Sequence, residues 1–154
     1  MRRINLLLIL IFLTSCGFKL VDQKSKINFN VVEINTSGEN KINYLIKNKL
    51  KILTNPNQEI LVNINLNTKK DKLVKEKNIK NTITKYEIRL YTTVEYEILE
   101  TNKNGTFIVS KVGDYTLLKR KTETLIREKN LTQILSEKIA TDVINELIRL
   151  INDL

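Results

Sequence analysis

The last thirty residues carry the pattern that most restricts the fold. From about Thr122 onward, apolar residues recur at intervals of three and four, as on one face of an α-helix. The stripe consists of Leu131, Ile134, Leu135, Ile139, Val143, Ile144, Leu147, Ile148 and Ile151. Asn130 or Thr132 can cap a second start, so one helix and two helices are both open. From Leu131 alone the stripe would span roughly 35 Å, which is wide enough to cover the face of a sheet.

The middle of the chain predicts that sheet. Four segments rich in β-branched and aromatic residues, several of them alternating apolar with polar side chains, read as strands. They are Asn28–Asn35, Glu59–Asn67, Thr82–Thr101 and Thr106–Lys119. In the second strand Asn63, Asn65 and Asn67 share one face, which predicts a strand with one hydrated side. Between the first two strands, apolar residues at helical spacing predict an amphipathic helix of about fifteen residues from Glu39.

Turn signals separate these segments. Thr36-Ser37-Gly38 predicts a turn, and Pro56 ends the first helix because proline cannot continue it. Asn104-Gly105 predicts the hairpin turn between the third and fourth strands, and Gly113 predicts a bulge in the fourth. The charged stretch Lys69–Asn81 reads as a loop or a frayed strand extension.

The order strand, helix, strand, strand, strand, helix predicts the fold class. We expect an α+β domain over residues 28–154, with a single mixed or antiparallel four-stranded sheet and two helices packed on one face. This arrangement covers every apolar face described above. The helix between the first two strands allows a crossover, whereas the third and fourth strands form an antiparallel hairpin.

The first sixteen residues resemble a bacterial lipoprotein signal. Met1-Arg2-Arg3 precedes an apolar run from Ile4 to Leu13 that is too short to span a bilayer. Leu13, Thr14 and Ser15 then precede Cys16, the only cysteine, in the pattern that signal peptidase recognises in a lipobox. The resemblance implies that residues 1–15 are removed and that Cys16 carries N-acyl and S-diacylglycerol groups, with 16–27 as a lipidated tether. A plain signal peptide or a signal anchor is the alternative.

The charge of the chain favours acidic partners. Loss of Arg2 and Arg3 leaves 24 basic residues against 17 acidic ones, a net charge of about +7. Such a surface attracts nucleic acid, phospholipid head groups or phosphorylated glycolipid, and the export signal excludes nucleic acid. The abundance of Lys and Asn over Arg is also typical of an AT-rich genome, so the basicity is either functional or compositional.

The residues that catalysis needs are scarce. The chain has no His, its one Cys is assigned to lipid, and it shows no Gly-rich phosphate loop, nucleophile elbow or calcium loop. Glu95, Glu97 and Glu100 fall on a predicted hydrated strand and its end. We therefore predict no enzyme, no catalytic residue, no metal and no cofactor beyond the covalent lipid. A hydrolase remains the remote alternative.

The signal, the element order and the final helix together resemble the LptE family of lipopolysaccharide-assembly lipoproteins. The local match is Leu13-Thr14-Ser15-Cys16-Gly17-Phe18, and the rest of the similarity is architectural. The resemblance implies an outer-membrane lipoprotein on the periplasmic side that partners and plugs the β-barrel LptD in lipopolysaccharide export. Gly17 fits this destination, since an Asp after the lipidated Cys signals retention in the inner membrane.

Phosphates of lipopolysaccharide are the further ligand that the resemblance implies. Basic groups for such contacts are Lys69, Lys70, Lys72, Lys85, Arg89, Lys119, Arg120 and Lys121, and Lys119-Arg120-Lys121 is the densest cluster among them. The alternative to this function is another small lipoprotein accessory, of the pilotin or barrel-assembly type, which binds a protein partner only.

Overall fold

The computed structural model describes residues 27–54 and 56–153. The elements in chain order are β1 (Phe29–Gly38), α1 (Asn40–Leu53), β2 (Ile60–Lys77), β3 (Ile83–Ile98), β4 (Lys103–Thr116) and α2 (Lys121–Asn152). The predicted fold class is confirmed, because four strands form one mixed sheet and two helices complete an α+β fold. The predicted signal segment 1–15 and the lipidation site Cys16 lie outside the described residues.

The sheet follows the chain, with strand order β1-β2-β3-β4. β1 pairs with β2 in parallel, so Phe29 lies opposite Ile60, and helix α1 makes the crossover that parallel neighbours require. The other two pairings are antiparallel. β1 and β4 are therefore the edges of the sheet, and β2 and β3, the longest strands, form its centre.

One face of the sheet carries the core. Alternation places the even-numbered residues of β2 and β3 on this inner face, together with odd-numbered residues of β4. The fully buried members of β2 and β3 are Val62, Ile64, Leu66, Ile88, Leu90, Val94 and Ile98. Helix α1 adds Ile42, Ile46 and Leu50 to the same cluster, and α2 adds residues from Leu135 to Ile151. The opposite, outer face is left to solvent.

Helix α2 is continuous through the possible break at Asn130. It runs for 32 residues, about 48 Å. The predicted stripe is buried from Leu135 onward, but Ile134 points outward and is 50% exposed. The first part of the helix carries no fully buried side chain, because it extends beyond the aliphatic core. No helix in the described residues is long and apolar enough to cross a membrane.

The strands extend further than the sequence pattern indicated. β1 continues through Thr36-Ser37-Gly38, where we expected a turn, and the turn comes only at Glu39. Of the two readings of Lys69–Asn81, a loop or a frayed strand extension, the strand extension is confirmed, since β2 continues to Lys77 and pairs with β3. This part of β2 carries charged residues on both faces, so its sequence lacks the alternation of apolar and polar residues that identifies a strand. Only its pairing with β3 identifies it as one.

Two local predictions around β4 were wrong. The hairpin turn lies at Leu99–Asn102, with Asn102 at φ +51°, and the Asn104-Gly105 pair is already inside β4. Gly105 lies opposite Tyr96 in the register, so its missing side chain leaves room for the tyrosine ring. Gly113 is not a bulge, since β3 and β4 pair there without a register shift. A Cβ on Gly113 would lie 2.8 Å from a methyl group of Leu131. The missing side chain therefore allows helix α2 to pack closely against β4 at this position.

Gly38 ends β1 in a conformation that favours glycine. Its φ is +85°, and a Cβ there would lie 2.2 Å from the carbonyl oxygen of Thr68. Directly after it, the Glu39 N–H donates to that same carbonyl over 3.0 Å. This bend takes the chain off the sheet and into α1, and Asn43 of α1 is held to it by a 2.7 Å hydrogen bond from its side-chain amide to the carbonyl of Ser37.

We expect Gly38→Ala to lower the free energy of unfolding by at least about 2 kcal/mol, because left-handed backbone costs about 1–2 kcal/mol with a Cβ and a backbone oxygen lies in the way. Gly113→Ala is the matched control. Its Cβ would meet only the ends of two flexible side chains, Leu131 and Leu135, so it should change stability by less than about 1 kcal/mol. Urea denaturation followed by circular dichroism measures both. Equal losses would contradict the role assigned to Gly38.

Candidate functional site

Four of the eight basic residues predicted from sequence lie at one end of the molecule, together with two lysines that were not predicted. The hairpin between β2 and β3 lies beside the connection from β4 to α2, since the Leu117 N–H donates to the Thr84 carbonyl over 2.9 Å and Lys85 lies opposite Thr116. We call this surface the basic end. It consists of Lys77, Lys80, Lys85, Lys119, Arg120 and Lys121.

The predicted phosphate-contacting residues differ in how free their charges are. Lys85 contacts Glu76 at 2.7 Å and Asp114 at 3.7 Å, and the hydrogen bond from Lys85 to Glu76 raises the pKa of the lysine. Arg89, further along β3, contacts Glu87. Arg120 has only a loose contact with Glu123 at 3.5 Å and is 83% exposed. Within the described residues, no ion pair involves Lys119 or Lys121.

The start of α2 increases the positive potential at the basic end. Arg120 is the N-cap residue and provides no side-chain hydrogen bond to the first turn. The Thr124 hydroxyl instead accepts the N–H of Leu118 over 2.9 Å, which fixes the approach of the connection. Free N–H groups and the helix dipole make a helix N-terminus attractive to anions. Cations at Lys119, Arg120 and Lys121 add to this attraction, so the arrangement favours a phosphate.

The tip of the β2–β3 hairpin is a part of this surface that the sequence reading missed. Ile79 is fully exposed there, between Lys77 and Lys80. The side-chain oxygen of Asn78 accepts the N–H groups of Lys80 and Thr82 at 2.9 and 3.0 Å, which closes the turn. Asparagines three positions apart were the available sequence signal, since this residue type favours such turns.

Behind the basic end, Lys70 and Lys72 have a structural role. Both donate to Glu128 of α2, at 3.0 and 2.7 Å, and the Tyr115 hydroxyl donates to the same carboxylate at 2.7 Å. Burial opposes the ionisation of Glu128, but the hydrogen bonds from Lys72, Tyr115 and Lys70 outweigh it and lower its pKa to about 2. Both lysines therefore join α2 to the sheet through one carboxylate, which balances one of their two charges.

The outer face of the sheet is polar around β1 and the start of β2, as the asparagine pattern predicted, whereas Tyr91, Ile108 and Val112 are exposed farther along β3 and β4. A shallow basin of about 470 Å³ lies across the strands there, lined mainly by amide and carboxylate side chains. Its central members are Asn35, Asn63, Asn65, Glu95 and Glu97. Asn65 donates to Glu95 over 3.4 Å. In the described part of the chain no group of three potential ligands is placed to hold a metal ion.

Solved structures share this fold. The chain is similar to rare lipoprotein B from Shewanella oneidensis (TM-score 0.60, 9% identity, 79% of this chain and 97% of that chain). It is also similar to lipoprotein B from Nitrosomonas europaea (TM-score 0.59, 13% identity, 88% and 93%) and to a lipoprotein from Caulobacter crescentus (TM-score 0.53, 10% identity, 76% and 89%). No family model and no curated protein matches the sequence. Rare lipoprotein B is of the LptE family, so the fold implied by the sequence resemblance is confirmed.

We expect the Glu128 contacts to contribute about 2 kcal/mol at neutral pH. The folded pKa of about 2 lies below the ordinary value of 4.5, so this stabilisation is complete above pH 4.5 and is lost as the pH falls toward 2. Glu128→Gln should remove both the stabilisation and its pH dependence, measured by urea denaturation between pH 2 and 7. Glu146→Gln, which loses an exposed pair with Arg149, should change stability by less than about 0.5 kcal/mol. Similar losses in the two variants at pH 7 would contradict this assignment.

Proposed function

We propose that the protein is a lipid-anchored, non-enzymatic component of lipopolysaccharide assembly, which occupies the lumen of the outer-membrane β-barrel LptD from the periplasmic side. The observation that carries the proposal is the fold shared with rare lipoprotein B over 97% of that chain. The similarity of three lipoproteins to this domain also supports anchoring through Cys16. The polar part of the outer face supports it further, because its amides and carboxylates suit a hydrated lumen better than acyl chains.

The long axis of the sheet separates the proposed anchor from the basic end. The described chain begins at Ile27, beside the start of β2, and Asn28 contacts Asn152 at the end of α2. The tip of the β2–β3 hairpin lies about 55 Å away along β2, at 3.3 Å per residue. A chain tethered at Cys16 would thus present its basic end to ligands far from the point of attachment.

Lipopolysaccharide phosphate is the ligand that we propose for the basic end. Lys119, Arg120 and Lys121 are exposed at a helix N-terminus, where a phosphate gains both charge attraction and N–H donors. Arg120 can bind a phosphate through two parallel hydrogen bonds. Lys85 and Arg89 share their charges with carboxylates and would contribute to the surrounding potential more than to direct contact.

The partner is tested by isolating the acylated protein from its own membranes in mild detergent and identifying what accompanies it by mass spectrometry. We expect a stoichiometric large β-barrel of the LptD type. Recovery of a secretin or of a barrel-assembly complex would contradict the lipopolysaccharide role and favour the pilotin or barrel-assembly alternative. Recovery of no partner would also contradict the plug.

Glycolipid binding is tested with purified lipopolysaccharide and the acylated protein in detergent. Replacing Lys119, Arg120 and Lys121 together by Ala should weaken binding roughly 100-fold, at about 1 kcal/mol for each cation at an anionic surface. Binding should also fall with salt. The matched control replaces Lys51, Lys103 and Lys138, which are exposed outside the basic end. Equal binding by both triple variants, or no effect of salt, would contradict the phosphate contact while leaving the partner test unaffected.

A further inference from the structure

Among the described residues, half of one edge of β2 has no neighbouring strand. β1 pairs with β2 only as far as Thr68, where Gly38 turns the chain away into α1. Beyond that point β2 continues from Lys69 to Lys77, and among the described residues this stretch pairs only with β3. The open edge is about 30 Å long at 3.3 Å per residue, which is enough for another strand of eight or nine residues.

Backbone hydrogen-bonding groups of this edge are available for pairing. The Thr68 carbonyl faces the β1 side, since it accepts the Glu39 N–H, whereas the Leu61 carbonyl faces β3 and accepts the Leu99 N–H over 3.0 Å. Successive residues of a strand direct these groups to opposite sides. The N–H and C=O groups of even-numbered residues Lys70, Lys72 and Val74 therefore face the open edge, as those of a strand awaiting a partner do.

An apolar groove lies beneath the open edge. It has a volume of about 660 Å³ and runs between the start of α1 and the first half of α2, with Lys70 at its upper side. Its most exposed apolar members are Tyr44 and Leu125, at 65% and 55% exposure. The groove is also lined by Glu39, Asn40, Lys41, Ile42, Leu45, Glu128, Lys129, Thr132 and Gln133. It follows the position that β1 would occupy if it did not end at Gly38.

We propose that an extended segment of a partner protein adds to the sheet as a strand along Lys69–Lys77, in line with β1, and that this segment alternates apolar with acidic residues. Addition of a strand to a sheet edge supplies main-chain hydrogen bonds, and pockets for alternate side chains supply specificity. The period of two places every second side chain of the segment in the groove against Tyr44 and Leu125. The proposal does not depend on the function proposed above.

The charge of the open edge indicates which kind of segment can pair with it. Lys69–Lys77 contains five lysines against one aspartate and one glutamate, and among the described residues Lys69 and Lys77 have no ion pair. A second copy of the same edge would bring lysines against lysines, and like charges on facing strands are destabilising. Lysines on an edge strand also discourage pairing with unrelated strands. An acidic segment, in contrast, directs its acidic side chains to the outer face, where it is attracted to Lys69, which has no ion pair in the described part of the chain.

The test uses a capped eight-residue synthetic peptide that alternates glutamate with leucine or valine. We expect it to bind the acylated full chain in detergent and to slow amide hydrogen exchange at Lys70, Lys72 and Val74 by about tenfold or more. The same peptide with lysine in place of glutamate should bind at least about tenfold more weakly. A version N-methylated at alternate residues, which cannot complete the ladder, should also lose binding.

Two variant pairs separate edge pairing from general attraction. Val74→Pro removes one edge N–H and should weaken binding about tenfold or more, whereas Val74→Thr keeps the N–H and should bind as the unchanged protein does. Leu125→Glu places a charge in the groove and should weaken binding, whereas Ile134→Glu changes a similarly exposed residue of the same helix outside it. Circular dichroism checks that each variant is folded. Absent binding at millimolar peptide, equal binding within both pairs, or self-association of the protein through this edge would overturn the proposal.

Discussion

The packing of α2 along one face of the sheet is the interaction on which the other features depend. Its buried stripe from Leu135 to Ile151 covers the inner face together with α1. At about 25 cal/mol per Å² of buried apolar surface, such a stripe outweighs any single polar contact in the fold. Because both helices lie on the same face, the outer face must be stable in water, and this explains its row of asparagines. The single-sided core thus determines which face can be hydrated.

The sheet extends beyond its aliphatic core, and polar contacts stabilise the part that lies beyond the core. Thr68 and Thr92 are fully buried and hydrogen-bonded to each other at 3.0 Å in the middle of the inner face. Toward the basic end, Lys72 lies 4.5 Å from the centre of the Tyr86 ring and contacts Glu128. Charge, aromatic contact and hydrogen bonds therefore hold the first part of α2 against the extended hairpin. The basic end is in this sense attached to the core by ionisable groups.

The sequence predicts the features of this structure that depend on local patterns, and it does not predict those that depend on distant residues. Periodicity reports burial directly, so the strands, both helices and the one-sided sheet were predicted. The sequence left a loop and a strand extension both open beyond Lys69, because the partner of the inner lysines is Glu128, 56 and 58 positions later in the chain. The hairpin turn was displaced from Asn104-Gly105 because the ring of Tyr96 occupies the space beside Gly105. The open edge of β2 was equally invisible, since it depends on where β1 ends.

The distribution of charges bears on whether the basicity is compositional. Lysine on the sheet is compensated wherever it points inward, as at Lys70 and Lys72, and in part on the outer face, where Lys75 contacts Asp114 at 2.8 Å. At the start of α2, in contrast, Lys119 and Lys121 have no carboxylate partner among the described residues. Cations at a helix N-terminus are unfavourable by about 0.3–1 kcal/mol each, because they face the positive end of the dipole. Compositional drift would scatter lysines over the surface. It gives no reason for Lys119, Arg120 and Lys121 to crowd at a position that disfavours them, whereas an anionic ligand there does.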